Sequence, residues 1–128
     1  MENLTIDRTK STPDVDFDPG THKLTIRGQS YPENAFQFFD PLFQWLEAYL
    51  LEVSDKDRIL FELQLSYINT SSAKCFMMLL EMMEKAYNDG KNIRIVWLYD
   101  QDNESELECA EEFKEDLTLP FEITSIAE

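Results

Sequence analysis

The chain has 128 residues, 43% of them hydrophobic and 12% aromatic, enough to bury about two-thirds of the unfolded surface and too apolar for a disordered protein. Acidic residues outnumber basic ones 26 to 11, and the net charge is −15; a field of that sign opposes phosphate backbones and anionic bilayers, so neither nucleic acid nor membrane is expected as a partner. No stretch reaches the ~20 apolar residues of a membrane span and no basic-then-apolar leader is present, so the expectation is one soluble cytoplasmic domain over residues 1–128.

Residues 1–18 are polar, with Leu4 and Ile6 alternating, and read as a short edge strand followed by a loop. Asp18-Pro19-Gly20 is a turn signal, and Lys23 to Arg27 alternates as a half-buried strand that stops at Gly28. The first two strands are therefore expected to form a hairpin. From Asn34 to Val53 the pattern is helical, with Phe36, Phe39, Leu42, Phe43, Leu46, Tyr49, Leu50 and Val53 on the inner side. Pro41 lies on the polar side and predicts either a kink or a fresh start capped by Asp40.

Arg58 to Ile68 is the next strand, with Phe61, Leu63, Leu65 and Tyr67 facing one way and Glu62, Gln64 and Ser66 the other. A helix follows from about Ser72 to Tyr87, its inner side including Cys75, Phe76, Met78, Leu79, Leu80, Met82 and Met83; Gly90 stops it. Asn92 to Tyr99 is apolar nearly throughout and marks a central strand. Asn103 and Glu106 form a capping box for a last helix with Leu107, Ala110, Phe113 and Leu117 inside, and Pro120 precedes a final strand around Phe121 and Ile123.

The order is β-β-α-β-α-β-α-β. Strand–helix–strand units imply parallel pairing with right-handed crossovers. One polar face on most strands puts the helices mainly on the other face. That arrangement adds strands across the sheet in sequence order, giving a two-layer α/β sandwich with a mixed sheet.

The catalytic inventory is thin. His22 is the sole histidine, in a turn far from any cysteine or serine nucleophile, and no phosphate-cradling glycine loop can be built from three glycines. Cys75 and Cys109 lack metal-ligand spacing and read as reduced core thiols. Asp100-x-Asp102-x-Glu104 looks superficially like a calcium loop, but Ser105 stands where the loop needs glycine and a strand precedes it. No metal and no cofactor is expected. From Asp100 to Asp116 there are nine acids and one lysine, a docking face for a basic partner.

The chemistry-bearing stretch is Tyr67-Ile68-Asn69-Thr70-Ser71-Ser72, where a strand runs through hydroxyl residues into a helix. A hydroxyl there caps free N–H groups or accepts a phosphate that the helix end stabilises. Residue type and spacing leave Thr70, Ser71 and Ser72 open as either. Met77 falls on the polar side of the same helix, where an exposed methionine makes an adaptable contact.

The hydroxyl run after a one-sided strand, the hairpin opening and the acidic face together resemble an STAS-like domain of the anti-sigma-factor-antagonist type. More specifically, Ser30-Tyr31-Pro32-Glu33-Asn34, then Tyr67 to Ser72, then Ala110-Glu111-Glu112-Phe113 with Glu115-Asp116 and Pro120-Phe121 resemble the SiaC family of regulatory phosphoproteins. The resemblance implies a non-catalytic switch with Thr70 as phosphoacceptor and Asn69, Ser71 and Ser72 as the switch loop. It further implies a cognate Ser/Thr kinase, a PP2C-like phosphatase, and a diguanylate cyclase that the unmodified form binds and activates. The partner-binding surface is placed at Tyr31, Pro32, Glu33, Asn34, Tyr67 and Met77. The alternative is an anti-sigma-factor antagonist in a partner-switching system.

Overall fold

The computed structural model describes residues 1–127. Its strands are β1 (Leu4–Ile6), β2 (Asp14–Asp18), β3 (Lys23–Ser30), β4 (Arg58–Ile68), β5 (Asn92–Asp100) and β6 (Phe121–Ile126). The helices are α1 (Ala35–Glu52), α2 (Thr70–Asn88) and α3 (Glu104–Lys114). The six strands form one mixed sheet in sequence order, β1-β2-β3-β4-β5-β6. The first three pair antiparallel, and β3 to β6 run parallel. Sequential addition of strands 2 to 5 of the sequence reading is thus the observed order of β3 to β6.

Phe17, Leu24, Phe61, Ile95 and Phe121 stand opposite one another across five strands, so they form a single row on one face. All are buried. On that face Trp45 of α1 packs on Phe17 and Phe113 of α3 stacks on Trp97, while Phe39 of α1 meets Phe76 of α2 edge-on at 5.0 Å. The three helices therefore share this side of the sheet. Burying the 0%-exposed side chains Phe17, Phe39, Phe61, Phe76 and Trp97 stabilises the fold by about 1.5–3 kcal/mol each.

Several expectations are corrected. Asp14–Asp18 is a strand rather than a loop: Val15 and Phe17 alternate with aspartates and are buried. The hairpin through Asp18-Pro19-Gly20 consequently joins β2 to β3, and β1 pairs with β2. Strand β3 passes through Gly28 to Ser30, because glycine adopts the φ of +123° found there without strain. Helix α1 runs unbroken through Pro41, and its cap is Asn34, whose Oδ1 accepts from the Gln37 N–H at 3.1 Å; no fresh start occurs at Asp40. Phe36 is 53% exposed instead of inward.

A further correction shapes the site. Gly28 pairs with Leu65 but Gln29 pairs with Tyr67, so Ser66 is an extra residue in β4. This bulge flips the alternation beyond it. Tyr67 therefore leaves the core side and lies 54% exposed, while Ile68, opposite the buried Ser30, turns inward. On α2, Met78 is 43% exposed rather than core, because the buried stripe is narrower than half the helix. Gly90, at φ +108°, ends α2 as expected, with the Lys91 N–H donating to the Ala86 carbonyl.

Candidate functional site

The C-terminal ends of parallel strands β3 and β4 meet the start of α2 at the edge where α/β sheets usually carry their binding loops. Asn69 is the hinge of this junction. Its N–H donates to the Ser30 carbonyl at 3.0 Å, and its Oδ1 accepts from the Ser72 N–H at 2.8 Å. The cap of α2 is thus Asn69, and none of the three hydroxyl residues has that task. Ser30 Oγ and Ser72 Oγ are 2.8 Å apart and both residues are wholly buried. Ser30, Asn69 and Ser72 close a ring of hydrogen bonds that fixes the β3 end against the first turn of α2.

This ring sorts the hydroxyls. Ser72 points into the protein, and Thr70 and Ser71 are exposed in the first turn. Thr70 is the first helical residue, and its hydroxyl makes no side-chain hydrogen bond among the described residues. Free N–H groups and the helix dipole give this position partial positive charge.

The Tyr31–Asn34 loop is drawn to the junction. Tyr31 follows Ser30, its N–H donates to the Ser11 carbonyl, and its ring meets Tyr67 edge-on at 5.8 Å. Pro32 is half-buried, Glu33 is exposed, and Asn34 is occupied as the α1 cap. Met77 lies elsewhere than expected. It is half-buried two turns along α2, facing α3, and shares with Thr70 a groove of about 530 Å³ completed by Ala73, Cys109 and Phe113. Lys74 and Glu112 stand on opposite rims of that groove as its charged groups. Burial, with Glu112 and Glu106 nearby, pushes the Cys109 thiol up to about 11, so it is held uncharged.

Two residues were missed by sequence reasoning as part of the site. Ser30 was legible had the alternation Leu24, Ile26, Gly28, Ser30 been carried through the glycine. Cys109 carries no local signal, because only the tertiary approach of α3 to α2 brings it beside Met77. His22 lies at the other end of β3, where Nδ1 is 2.6 Å from the Tyr49 hydroxyl and Nε2 is 3.5 Å from Asp57. It is structurally engaged and remote from Thr70.

A family model described as SiaC family regulatory phosphoprotein matches residues 6–126. The chain belongs to the SiaC family. An uncharacterized protein of Pseudomonas aeruginosa (strain UCBPP-PA14) is 40% identical over 124 residues, 96% of each chain. Apo-SiaC from Pseudomonas aeruginosa superimposes with a TM-score of 0.90 at 37% identity, over 97% of this chain and 99% of that one. SiaC in a crystal structure with the diguanylate cyclase SiaD, where it is described as the activator, superimposes with a TM-score of 0.91 at 37% identity, over 96% and 99%. The SiaC-family match encloses the whole junction from Ser30 to Met77.

Proposed function

We propose that this protein is a non-catalytic regulator, one domain over residues 1–128, that acts in the cytoplasm by binding and activating a diguanylate cyclase in its unphosphorylated form. Thr70 is the phosphoacceptor; a cognate Ser/Thr kinase adds the phosphate and a PP2C-like phosphatase removes it. The observation that carries this reading is the sorting of the hydroxyls. Thr70 is exposed and relieved of capping by Asn69, whereas Ser72 is sealed beneath it. Membership of a family of regulatory phosphoproteins, and a relative crystallised with a cyclase, support the same reading.

The physical basis of the switch is charge placed in a contact. The partner docks over Asn69–Ser72, the Tyr31–Asn34 loop, Tyr67 and the groove beside Met77. A phosphate adds about −1.5 to −2 charges there. The helix N-terminus accommodates it in the free protein, so the fold persists. In the complex it must be desolvated with Lys74 as the nearest cation of the groove and Glu112 opposing it, a penalty of several kcal/mol that is enough to dissolve a micromolar complex. Phosphopeptide mapping after incubation with the kinase tests the assignment. The phosphate is expected on Thr70 and is lost in Thr70→Ala; normal labelling of Thr70→Ala, or phosphate on Ser71, overturns it.

A further inference from the structure

On the far side of α3 from the Thr70 groove, the sheet ends in β6, which is hydrogen-bonded to β5 alone among the described residues. The Ile95 N–H donates to the Pro120 carbonyl and the Gln101 N–H to the Ile126 carbonyl. In a parallel ladder of this phase the even-numbered residues of β6 bond to β5, so the N–H and C=O groups of Phe121, Ile123 and Ser125 point away from the sheet. Native edges are usually blunted by lysine, proline, a bulge or shortness. The opposite edge obeys this rule, since β1 has only three residues. Strand β6 has six residues, Phe-Glu-Ile-Thr-Ser-Ile, with no lysine, proline or register shift.

Beside this edge runs a groove of about 820 Å³ floored by Tyr99, Leu107, Leu117 and Ile123, all half-buried. Its rim carries Glu111, Glu112 and Glu115, and Lys114 is the one cation lining it. Free backbone groups, an apolar floor on the helix side and the exposed carboxylate of Glu122 on the opposite face specify one kind of occupant. We infer that β6 is a strand-addition site for an extended protein segment of alternating apolar and basic residues, which adds a seventh strand, seats its apolar side chains on Ile123 and Leu107 on the helix side, and sends its lysines or arginines to the opposite face beside Glu122 of β6. A second copy of this chain is disfavoured at this edge, because a net charge of −15 on each sets acid against acid. This edge lies across α3 from Thr70, with Glu112 lining both grooves, and the inference does not depend on the phosphorylation reading.

The probe is a fluorescent nine-residue peptide of alternating valine and lysine, with a proline-interrupted peptide of equal charge as control, read by anisotropy and by 15N–1H spectra of the full chain. Binding of the alternating peptide alone is expected, with shifts concentrated at 121–126 and α3. Ser125→Pro removes one outward N–H while leaving the groove and the β5 ladder, and is expected to weaken binding about tenfold or more. Ile123→Lys is expected to do the same through the floor, whereas Ser125→Ala and Asp16→Lys on β2 retain the affinity. Thermal melts of each variant identify any that fail to fold, and Glu122→Gln supplies a second, surface-only test through reduced salt dependence. No binding, equal binding of both peptides, or Ser125→Pro binding like the parent would overturn the proposal, as would self-association of the chain through β6.

Discussion

Replacing Ser30 by alanine leaves the Ser72 hydroxyl buried without its partner, and replacing Ser72 does the converse. Both residues are 0% exposed and their oxygens are 2.8 Å apart. Stranding one buried hydroxyl costs about 1–3 kcal/mol, whereas removing both members of a pair strands nothing. Each single substitution is therefore expected to destabilise the fold by about 2 kcal/mol, and the double substitution by little more than one of them. The interaction energy in the cycle is then about 1–2 kcal/mol. Urea unfolding of the parent, both singles and the double, with a common m-value, measures it directly. Additivity of the two singles within about 0.5 kcal/mol would refute the closed ring as the element that holds the β3 end to α2.

Asn69→Ala removes the α2 cap and is expected to cost about 1 kcal/mol in the same assay, with Asn69→Asp restoring it. Burial pushes the Glu84 carboxyl up, but the N–H and hydroxyl donors of Thr118 and the Leu119 N–H outweigh that and hold it below its ordinary 4.5. Its folded value lies under its unfolded one, so this stabilisation is complete above pH 4.5 and fades as pH falls through the folded value. Glu84→Gln should flatten that acid limb of a stability–pH curve, at a neutral-pH cost of roughly 1 kcal/mol given the solvent around it. With Cys75 wholly buried and the Cys109 thiol pushed up to about 11, neither should react with a thiol reagent at pH 8 in the folded state, when Cys109 is only ~0.1% thiolate; rapid native-state labelling of both would contradict the described burial. Gly28→Ala places a side chain at φ +123° and should destabilise by about 1–3 kcal/mol although the Cβ itself meets nothing closer than 3.5 Å; an unchanged melting temperature would refute the strain argument.

Periodicity carried most of the architecture. The one-sided patterns of Lys23–Arg27, Arg58–Leu65 and the helical spacing of Asn34–Val53 are strong enough that sequential parallel strands with helices on one side followed from them. Strand β2 was hidden because three of its five residues are aspartates, which depress strand propensity, and the burial of Val15 and Phe17 overrides that. Tyr67 was misplaced because a single extra residue, Ser66, inverts every later position, and nothing in the local composition announces a bulge. Phe36 and Met78 show that an apolar side chain at the margin of a stripe is assigned by its neighbours in space, which periodicity does not contain. At the site, the hydroxyl run at a strand–helix junction was legible. The division of labour between it, the capping Asn69 and the buried Ser72 was not, since an Asn-Thr-Ser-Ser run offers four acceptable caps.

In the proposed switch, one phosphate on Thr70 decides whether a diguanylate cyclase is bound. Titration calorimetry of the purified diguanylate cyclase against four forms measures it: unmodified protein, the kinase-treated protein with Thr70 occupancy established by mass, Thr70→Asp and Thr70→Ala. Micromolar or tighter binding is expected for the unmodified protein and Thr70→Ala, with a loss of about a hundredfold or more on phosphorylation and a strong weakening in Thr70→Asp, all four forms keeping similar thermal midpoints. Equal affinity of the phosphorylated and unmodified proteins for the cyclase would contradict the account.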